Sequence, residues 1–376
     1  MKRAMKAWRK CGAIAVVVAL GFAGAFPVQS VAAQWKKVKS AQTKTYALKG
    51  FTGVCNVLQG AVEVSQGSTF SVQGESLYEG LLDDITVEVR KDVLVVDASK
   101  AVLKEMSSLR NFPLFTLRVT LPKLTKLTLA GSGDIRVVTD VETDKLSVVL
   151  SGSGEVKAKN LISNGLVDVV LGGSGEIEVG SVRSGEMAVK LTGSGDVEVG
   201  DAVVNGGTQV VLGGSGDLKV GNVSCKSAEV SLMGSGDVDV KDVQASGSVR
   251  VQCMGSGDMK FGAVQSNKLG IQVTGSGEIE VGSATVESVD AKLASSGSIS
   301  IGGGESSACD VSVTGSGDIA FQKHRAKNAR VSVSGSGDVA MYVTEELRLG
   351  GTTNMSSLTI DGRPRLVFEG RKGSNR

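Results

Sequence analysis

Val189-Lys190-Leu191-Thr192-Gly193-Ser194-Gly195-Asp196-Val197-Glu198-Val199-Gly200 is one copy of a unit that recurs through most of this chain. Its triplet, Gly-Ser-Gly, starts at Gly131, Gly152, Gly173, Gly193, Gly214, Gly234, Gly255, Gly275, Gly315 and Gly335, with a degenerate copy at Ser295-Ser296-Gly297. Successive copies stand 20 or 21 residues apart. Around the triplet, apolar residues alternate with polar ones. Val189 and Leu191 precede it, and Val197 and Val199 follow it, with Lys190 and Glu198 between. The other copies repeat these columns, as in Val148, Leu150, Val156 and Ala158 or Ile271, Val273, Ile279 and Val281. A period of two, rich in β-branched residues, marks half-buried strands.

A unit with one apolar face cannot bury it alone, and stacking in register supplies the partner. The expected fold is therefore all-β: a parallel β-helix (β-solenoid) of about 11–12 coils with a 20–21 residue period. Two short strands are expected per coil, on two or three faces. A right-handed coil is expected, because parallel crossovers are right-handed. At ~4.8 Å per coil, eleven coils make a rod of roughly 50 Å. No proline occurs between Pro122 and Pro364, as continuous ladders require. The extra residue of the 21-residue units is expected in a loop after the second strand, as at Asn160 to Asn164.

The ends differ from the middle. Lys2, Arg3, Lys6, Arg9 and Lys10 precede an apolar run from Ala13 to Phe26, then Pro27 and Val31-Ala32-Ala33. This is the order of a secretory signal peptide, residues 1–33, cleaved between Ala33 and Gln34. The run is shorter than the ~20 residues a span needs. Five cations and no acid leave with it, so the formal +2 of the whole chain becomes about −3. Residues 34–126 carry strand-like stretches at Ala61–Val64, Phe70–Val72, Ile85–Val89 and Val93–Val96. They are expected to form a strand-rich N-terminal cap, with Leu103–Leu109 a helical turn or a loop. Residues 127–345 are the repeat and 346–368 a decaying terminal coil in which Gly351-Thr352-Thr353 replaces the triplet. The basic tail 369–376 is expected to be disordered.

Composition excludes several classes. Apolar residues at 41% are too many for a disordered chain, and 51 glycines without a triplet period do not make collagen. Aromatics at 4% argue against a nucleic-acid binder that stacks bases.

Four motifs complete the reading and identify a resemblance. The Gly-Ser-Gly-Asp-Ile style repeat, the lead-in Phe51-Thr52-Gly53-Val54 with Val62-Glu63-Val64-Ser65-Gln66-Gly67, the segment Val119-Thr120-Leu121-Pro122-Lys123-Leu124 and the closing Ile360-Asp361-Gly362-Arg363-Pro364 together resemble the auto-transporter adhesin head domain family, the GIN domain. The resemblance covers roughly residues 46 to 368. It implies a right-handed parallel β-helix of secreted bacterial proteins with no assigned biochemical role. One departure is that no series of alternating ~10-residue membrane strands follows Gly351, so a barrel for self-secretion is not expected in this sequence.

The candidate chemistry lies in columns. Directly after the triplets stand Asp134, Glu155, Glu176, Asp196, Asp217, Asp237, Asp258, Glu278, Asp318 and Asp338, with Ser298 in the degenerate copy. Like charges ~4.8 Å apart repel by about 1 kcal/mol in water, so something must compensate. Either divalent cations bridge them, or each carboxylate accepts backbone N–H groups of its own bend; the second is preferred. The Gly-Gly-Ser-Gly-Asp at Gly213 to Asp217 is not a calcium nonapeptide, because that motif needs a nine-residue period. Eleven equivalent serines, from Ser132 to Ser336, have no base beside them and read as a hydroxyl ladder. His324, the only histidine, is expected to be exposed in a basic loop with Lys323, Arg325 and Lys327. Cys253 and Cys309 fall in apolar columns, and Cys225 is expected at an outer loop. Cys55 completes an even count of four in the mature chain, yet no pair shares a column one coil apart, which makes disulfides doubtful.

No catalytic, cofactor-binding or metal residue is therefore expected, and no cofactor. The favoured reading is a secreted, non-enzymatic adhesin-like or scaffold rod of the cell envelope or surface, located in the periplasm, on the outer membrane or outside the cell. Its expected partners are an extracellular glycan or a surface protein, with self-association left open; no nucleic acid and no membrane span in the mature chain are expected. The alternatives are a polysaccharide lyase or hydrolase, which needs a local acid–base cluster that no coil supplies, and a calcium-stabilised solenoid.

Overall fold

A computed structural model describes residues 35–109, 113–350 and 357–368. The signal peptide with Ala33 and Gln34, the segment at Gly351-Thr352-Thr353 and the basic tail lie outside the described residues. The described chain is a β-solenoid of about 12 turns, with its strands stacked in parallel from coil to coil. No helix among the described residues is long and apolar enough to cross a membrane.

Each coil has three faces, one more strand than expected. In the middle of the rod they are Asp196–Val199, Ala202–Val204 and Gly207–Leu212. The first follows the triplet, the third leads into the next triplet, and the second lies between two short corners. Its inward columns are Leu161, Val182, Ala202, Val223, Val243 and Val264, followed by the smaller Ser163, Ser184, Val204, Cys225, Ala245 and Ser266. Further along, the corners become bends inside single strands such as Glu278–Leu293. The alternation resets by one residue at each corner: Glu278–Leu293 buries Ile279 and Val281, then Ala284 and Val286, then Val289, Ala291 and Leu293. Seven inward columns, packed coil on coil, form one continuous apolar core. At roughly 25 cal/mol per Å² of apolar surface, this burial is the main stabilising term.

Where the period lengthens is visible in the register. Ile162 pairs with Arg183, 21 residues on, whereas Leu166 pairs with Glu186, 20 on. The extra residue therefore sits at the corner after the second face, at Asn164-Gly165. It is not in Asn160–Ser163, which is strand. The same slip recurs at Asn205-Gly206 and Ser246-Gly247.

The chain does not build its layers in sequence order. Gly53–Asn56 and Ala61–Gln66 stack on Lys126–Leu129 and Asp134–Val137, and so form a coil without a triplet. In it, Asn56 holds the bend, donating from Nδ2 to the Gly60 carbonyl (2.9 Å) and accepting the Leu58 N–H (3.0 Å). Val93–Ala98 and Thr116–Leu121 then stack on its outer side. Antiparallel strands follow at the edge: Ile85–Arg90, Ser71–Tyr78 and finally Lys37–Thr45. Lys37, Lys39 and Lys44 on the outermost strand discourage further edge pairing. Residues 100–106 form a helix, N-capped by Ser99. At the other end, Leu358–Gly362 and Arg365–Phe368 continue the ladder past the coil Val339–Leu349.

The glycines explain why coils can stack so tightly at the triplet. A Cβ on Gly216 would lie 1.9 Å from the Gly195 carbonyl oxygen of the coil before, and one on Gly195 would lie 1.8 Å from that of Gly175. Backbone thus meets backbone there. By contrast, nothing lies within 4 Å of a Cβ placed on Gly270, on an outward strand position. Gly216→Ala should therefore destabilise by about 3 kcal/mol or more, and Gly270→Ala by no more than about 0.5 kcal/mol in either direction. Urea unfolding of the two variants checks this; equal losses would refute the close-approach account.

Candidate functional site

The triplet bends form one corner of the rod. All eleven serines from Ser132 to Ser336 are exposed, while the last glycine of each triplet is buried except Gly154, which is half-buried. Nine of the eleven serine N–H groups donate to a carbonyl of the coil before, among them Ser194 to Gly173, Ser215 to Gly193 and Ser256 to Gly234, all at 3.1 Å. The bend is thereby held by its backbone, and the hydroxyls project outward.

The acidic column turns outward beside the serines, as alternation requires. Its compensation differs from the expected one. The carboxylates do not cap their own bends; they reach forward. Asp196, Asp217, Asp237, Asp258 and Asp318 each accept, at Oδ1, the backbone N–H of the column residue one coil on, at 2.8–3.1 Å. The two glutamates early in the rod leave that contact to the backbone. The N–H of Glu176 donates to the Gly154 carbonyl, and that of Asp196 to Gly175. Aspartate has the length to reach the next N–H, and glutamate is one methylene too long. The N–H that follows each triplet thus has two acceptors along the column, a carboxylate or a glycine carbonyl of the coil before.

A second ladder of this kind runs along the next corner and was not recognised in the sequence. Asp201 Oδ1 accepts both the Asn222 N–H (2.8 Å) and its Nδ2–H (3.0 Å), and Asp242 Oδ1 accepts the Ala263 N–H (2.7 Å). Earlier in the rod, Asn160 donates to Asp140 (2.8 Å) and Ser181 to Asn160 (2.7 Å). The signal is the polar residue five places after the triplet acid, as in Asp201, Asn222 and Asp242, or six in the case of Asp140.

Cations relieve the first coils. Arg136 lies 3.3 Å from Asp134 and 3.8 Å from Glu155, and Lys157 lies 3.0 Å from Glu155 and 2.9 Å from Glu178. Exposed pairs of this kind contribute about 0.2–1 kcal/mol each. Burial holds Asp134 above the ordinary aspartate range despite Arg136. Further on, Glu198, Asp239 and Glu280 extend the acidic surface in the neighbouring outward column, against Lys219 and Lys260. The result is one long face of carboxylates and hydroxyls.

Two expected placements are corrected. His324 is buried, at 1% exposure, within the strand Asp318–Val333. The corner after Phe321 resets the alternation by one residue, with Gln322 and Lys323 both exposed, so that His324 turns inward while Arg325 and Lys327 point out. Cys225 is also buried, in the strand Val223–Cys225 of the second face, which the two-strand reading took for a loop. Cys253 and Cys309 lie in the core as their columns implied, and the four described cysteines are free. Burial, with Asp310 and Asp290 nearby, pushes the Cys309 thiol up to about 12.

A groove of about 610 Å³ near the N-terminal edge is lined by Lys37, Glu75, Leu77, Tyr78, Leu114 and Arg118. Arg118 is already paired there, with Glu75 at 2.6 Å and Glu63 at 3.2 Å. Among the described residues, no group of three or more His, Cys, Asp or Glu is placed to hold a metal ion.

Fold and surface together define a β-solenoid with a repetitive polar face. The chain belongs to the family described as Putative auto-transporter adhesin, head GIN domain, whose model matches residues 50–241, 159–262 and 249–364. Among solved structures, a putative adhesin from Parabacteroides merdae shares the fold with a TM-score of 0.55 at 15% identity, over 65% of this chain and 96% of that one. A putative adhesin from Bacteroides fragilis aligns at 21% identity and a TM-score of 0.49, over 65% of this chain and 98% of that one. A third, from Parabacteroides distasonis, aligns at 14% identity and 0.40, over 88% and 95%. No curated protein matches the chain.

The aspartate ladder makes a specific prediction. Asp217→Ala strands the Asp237 N–H and should lower stability by about 1 kcal/mol. Asp217→Asn keeps an acceptor and removes a like charge, so its stability in urea should equal or exceed that of the native chain. An Asn variant as unstable as the Ala variant would contradict the hydrogen-bonding role.

Proposed function

We propose that this chain is an exported, non-enzymatic binding rod of the cell envelope or surface. The observation that carries the reading is the exposed serine-and-carboxylate face, which offers the same polar unit once per coil, about every 4.8 Å. Hydroxyls donate and accept hydrogen bonds, and carboxylates accept them, which suits the hydroxyl groups of a glycan or the polar surface of a protein. Each unit is weak by itself. A row of them gains strength from many simultaneous contacts with a repetitive partner. Family membership supports the same direction. The rod would be exported through the signal peptide expected at residues 1–33, and its compartment would be the periplasm or the surface.

A lyase or hydrolase needs one coil with its own acid, base and cleft. The only described histidine is buried in the core, and the acids are spread evenly. A calcium-stabilised rod needs carboxylates turned toward shared ions, whereas five of these spend an oxygen on the next coil's N–H.

The test is binding of the full chain to glycan and mucin arrays graded by polymer length. The expected result is retention that grows with length and no release of reducing ends from acidic polysaccharides. Length-independent or absent binding contradicts the repetitive-face reading, and turnover overturns the non-enzymatic one. The melting midpoint should be the same with and without EDTA; a fall on chelation would favour the calcium alternative.

A further inference from the structure

The buried histidine is unused by any of this. The pair Glu305↔Arg325 sets His324 opposite Gly304, in the inward column that holds Val223, Val243 and Val264 in earlier coils. Gly304 adopts φ +92°, and a Cβ there would meet the Ala284 carbonyl oxygen at 2.0 Å. Where the column lacks a side chain, the next coil supplies an imidazole.

Both ring nitrogens are satisfied in the neutral form. Nδ1–H donates to the Gly303 carbonyl at 3.2 Å, and the Ser306 hydroxyl donates to Nε2 at 2.9 Å. A carbonyl can only accept, which assigns the tautomer. Phe321 stands edge-on with its ring centre 6.3 Å away. A proton on Nε2 would displace the Ser306 donor and place a charge inside an apolar column.

Of the charged and titratable groups of the packed strands, only exposed Glu305 offsets part of that charge. In the coil before, Glu305 and Asp310 are exposed and Cys309 is a buried thiol. In its own coil, Lys323, Arg325, Lys327 and Arg330 all point outward. In the coil after, Tyr342 and Glu346 are half-buried, and Glu345 and Arg348 are exposed. Burial accordingly lowers the histidine pKa, with Gly303 and Glu305 opposing weakly.

The ladder is irregular at the same place. Pairing between Asp318–Val333 and Val339–Leu349 slips twice, between Phe321 and Arg325 and between Ala326 and Asn328. The coil after is shorter, so residues 322–324 have no strand partner in it. The histidine's two hydrogen bonds to the coil before therefore carry a larger share of the local hold.

We propose that His324 is an acid-sensitive latch that fastens the C-terminal coils to the rod and loosens them when protonated. The sign follows from linkage. A group whose native pKa lies below its unfolded value of about 6.5 binds more protons when unfolded. Its contribution is full above that value and is lost as pH falls through it toward the native pKa.

Hydrogen exchange of the full chain at pH 7.5 and 5.0, corrected for the intrinsic rate, tests this. At pH 5.0 most carboxylates remain ionised. Protection of residues 303–349 should drop at least tenfold, while that of 196–253 holds. The double variant His324→Val with Ser306→Ala restores the column and removes the proton site, and should lose the drop. An equal drop in the variant, or none in the native chain, overturns the latch. Because the chain has a single histidine, its imidazole proton resonance gives an independent readout without mutation. Titration coupled to loss of native signals in 303–349 is expected, and free titration near pH 6.5 with those signals intact overturns it.

Discussion

The hydrogen bond from a triplet serine N–H to the triplet carbonyl one coil before is the contact on which the rest depends. It requires backbone to approach backbone at about 3.1 Å, as between Ser215 and Gly193. Cβ atoms on the flanking glycines would intrude to within 2 Å of those carbonyls. Glycine on both sides is thus a steric condition, and the serine between is free to face water. Once the bend is set, alternation does the rest: Leu218 and Val220 point in, Asp217 and Lys219 point out, and the next coil repeats the arrangement.

The constraint also creates the surface. Every coil exposes a hydroxyl and almost every coil a carboxylate, at a spacing set by strand stacking alone. The electrostatic cost is met locally, by Arg136 and Lys157 in the first coils and by carboxylate-to-backbone bonds from Asp196 onward. A charged column that holds itself in place remains available on its outer side. The two ends are unlike. Antiparallel strands and edge lysines terminate the first, whereas a slipped register and one buried histidine mark the approach to the second.

The solenoid and its inward columns were legible because burial and period coincide in Val189, Leu191, Val197 and Val199. The second face was not. Ala202-Val203-Val204 and Val223-Ser224-Cys225 are too short and too small-residued to stand out, so Cys225 was misplaced with the face that carries it. His324 is surrounded in sequence by Lys323 and Arg325, and only the one-residue reset of the alternation at the corner after Phe321, which strict alternation does not show, turns it inward. The aspartate ladder could not be read from spacing, because its acceptor and donor lie 20 or 21 residues apart and differ from glutamate by one methylene. The layer order at the N-terminal end was likewise hidden: the outermost parallel strands, Val93–Ala98 and Thr116–Leu121, come later in the chain than the coil they cover.

Amide exchange of the triplet serines in the folded chain tests the central claim most directly. These N–H groups sit at exposed corners, where an ordinary turn would exchange at nearly the unprotected rate. Resolved by NMR, Ser194, Ser215, Ser235 and Ser256 should exchange as slowly as the core amides of Val210 and Val230. Exchange at loop rates, with the strands still protected, would contradict an inter-coil hydrogen bond at the glycine bend.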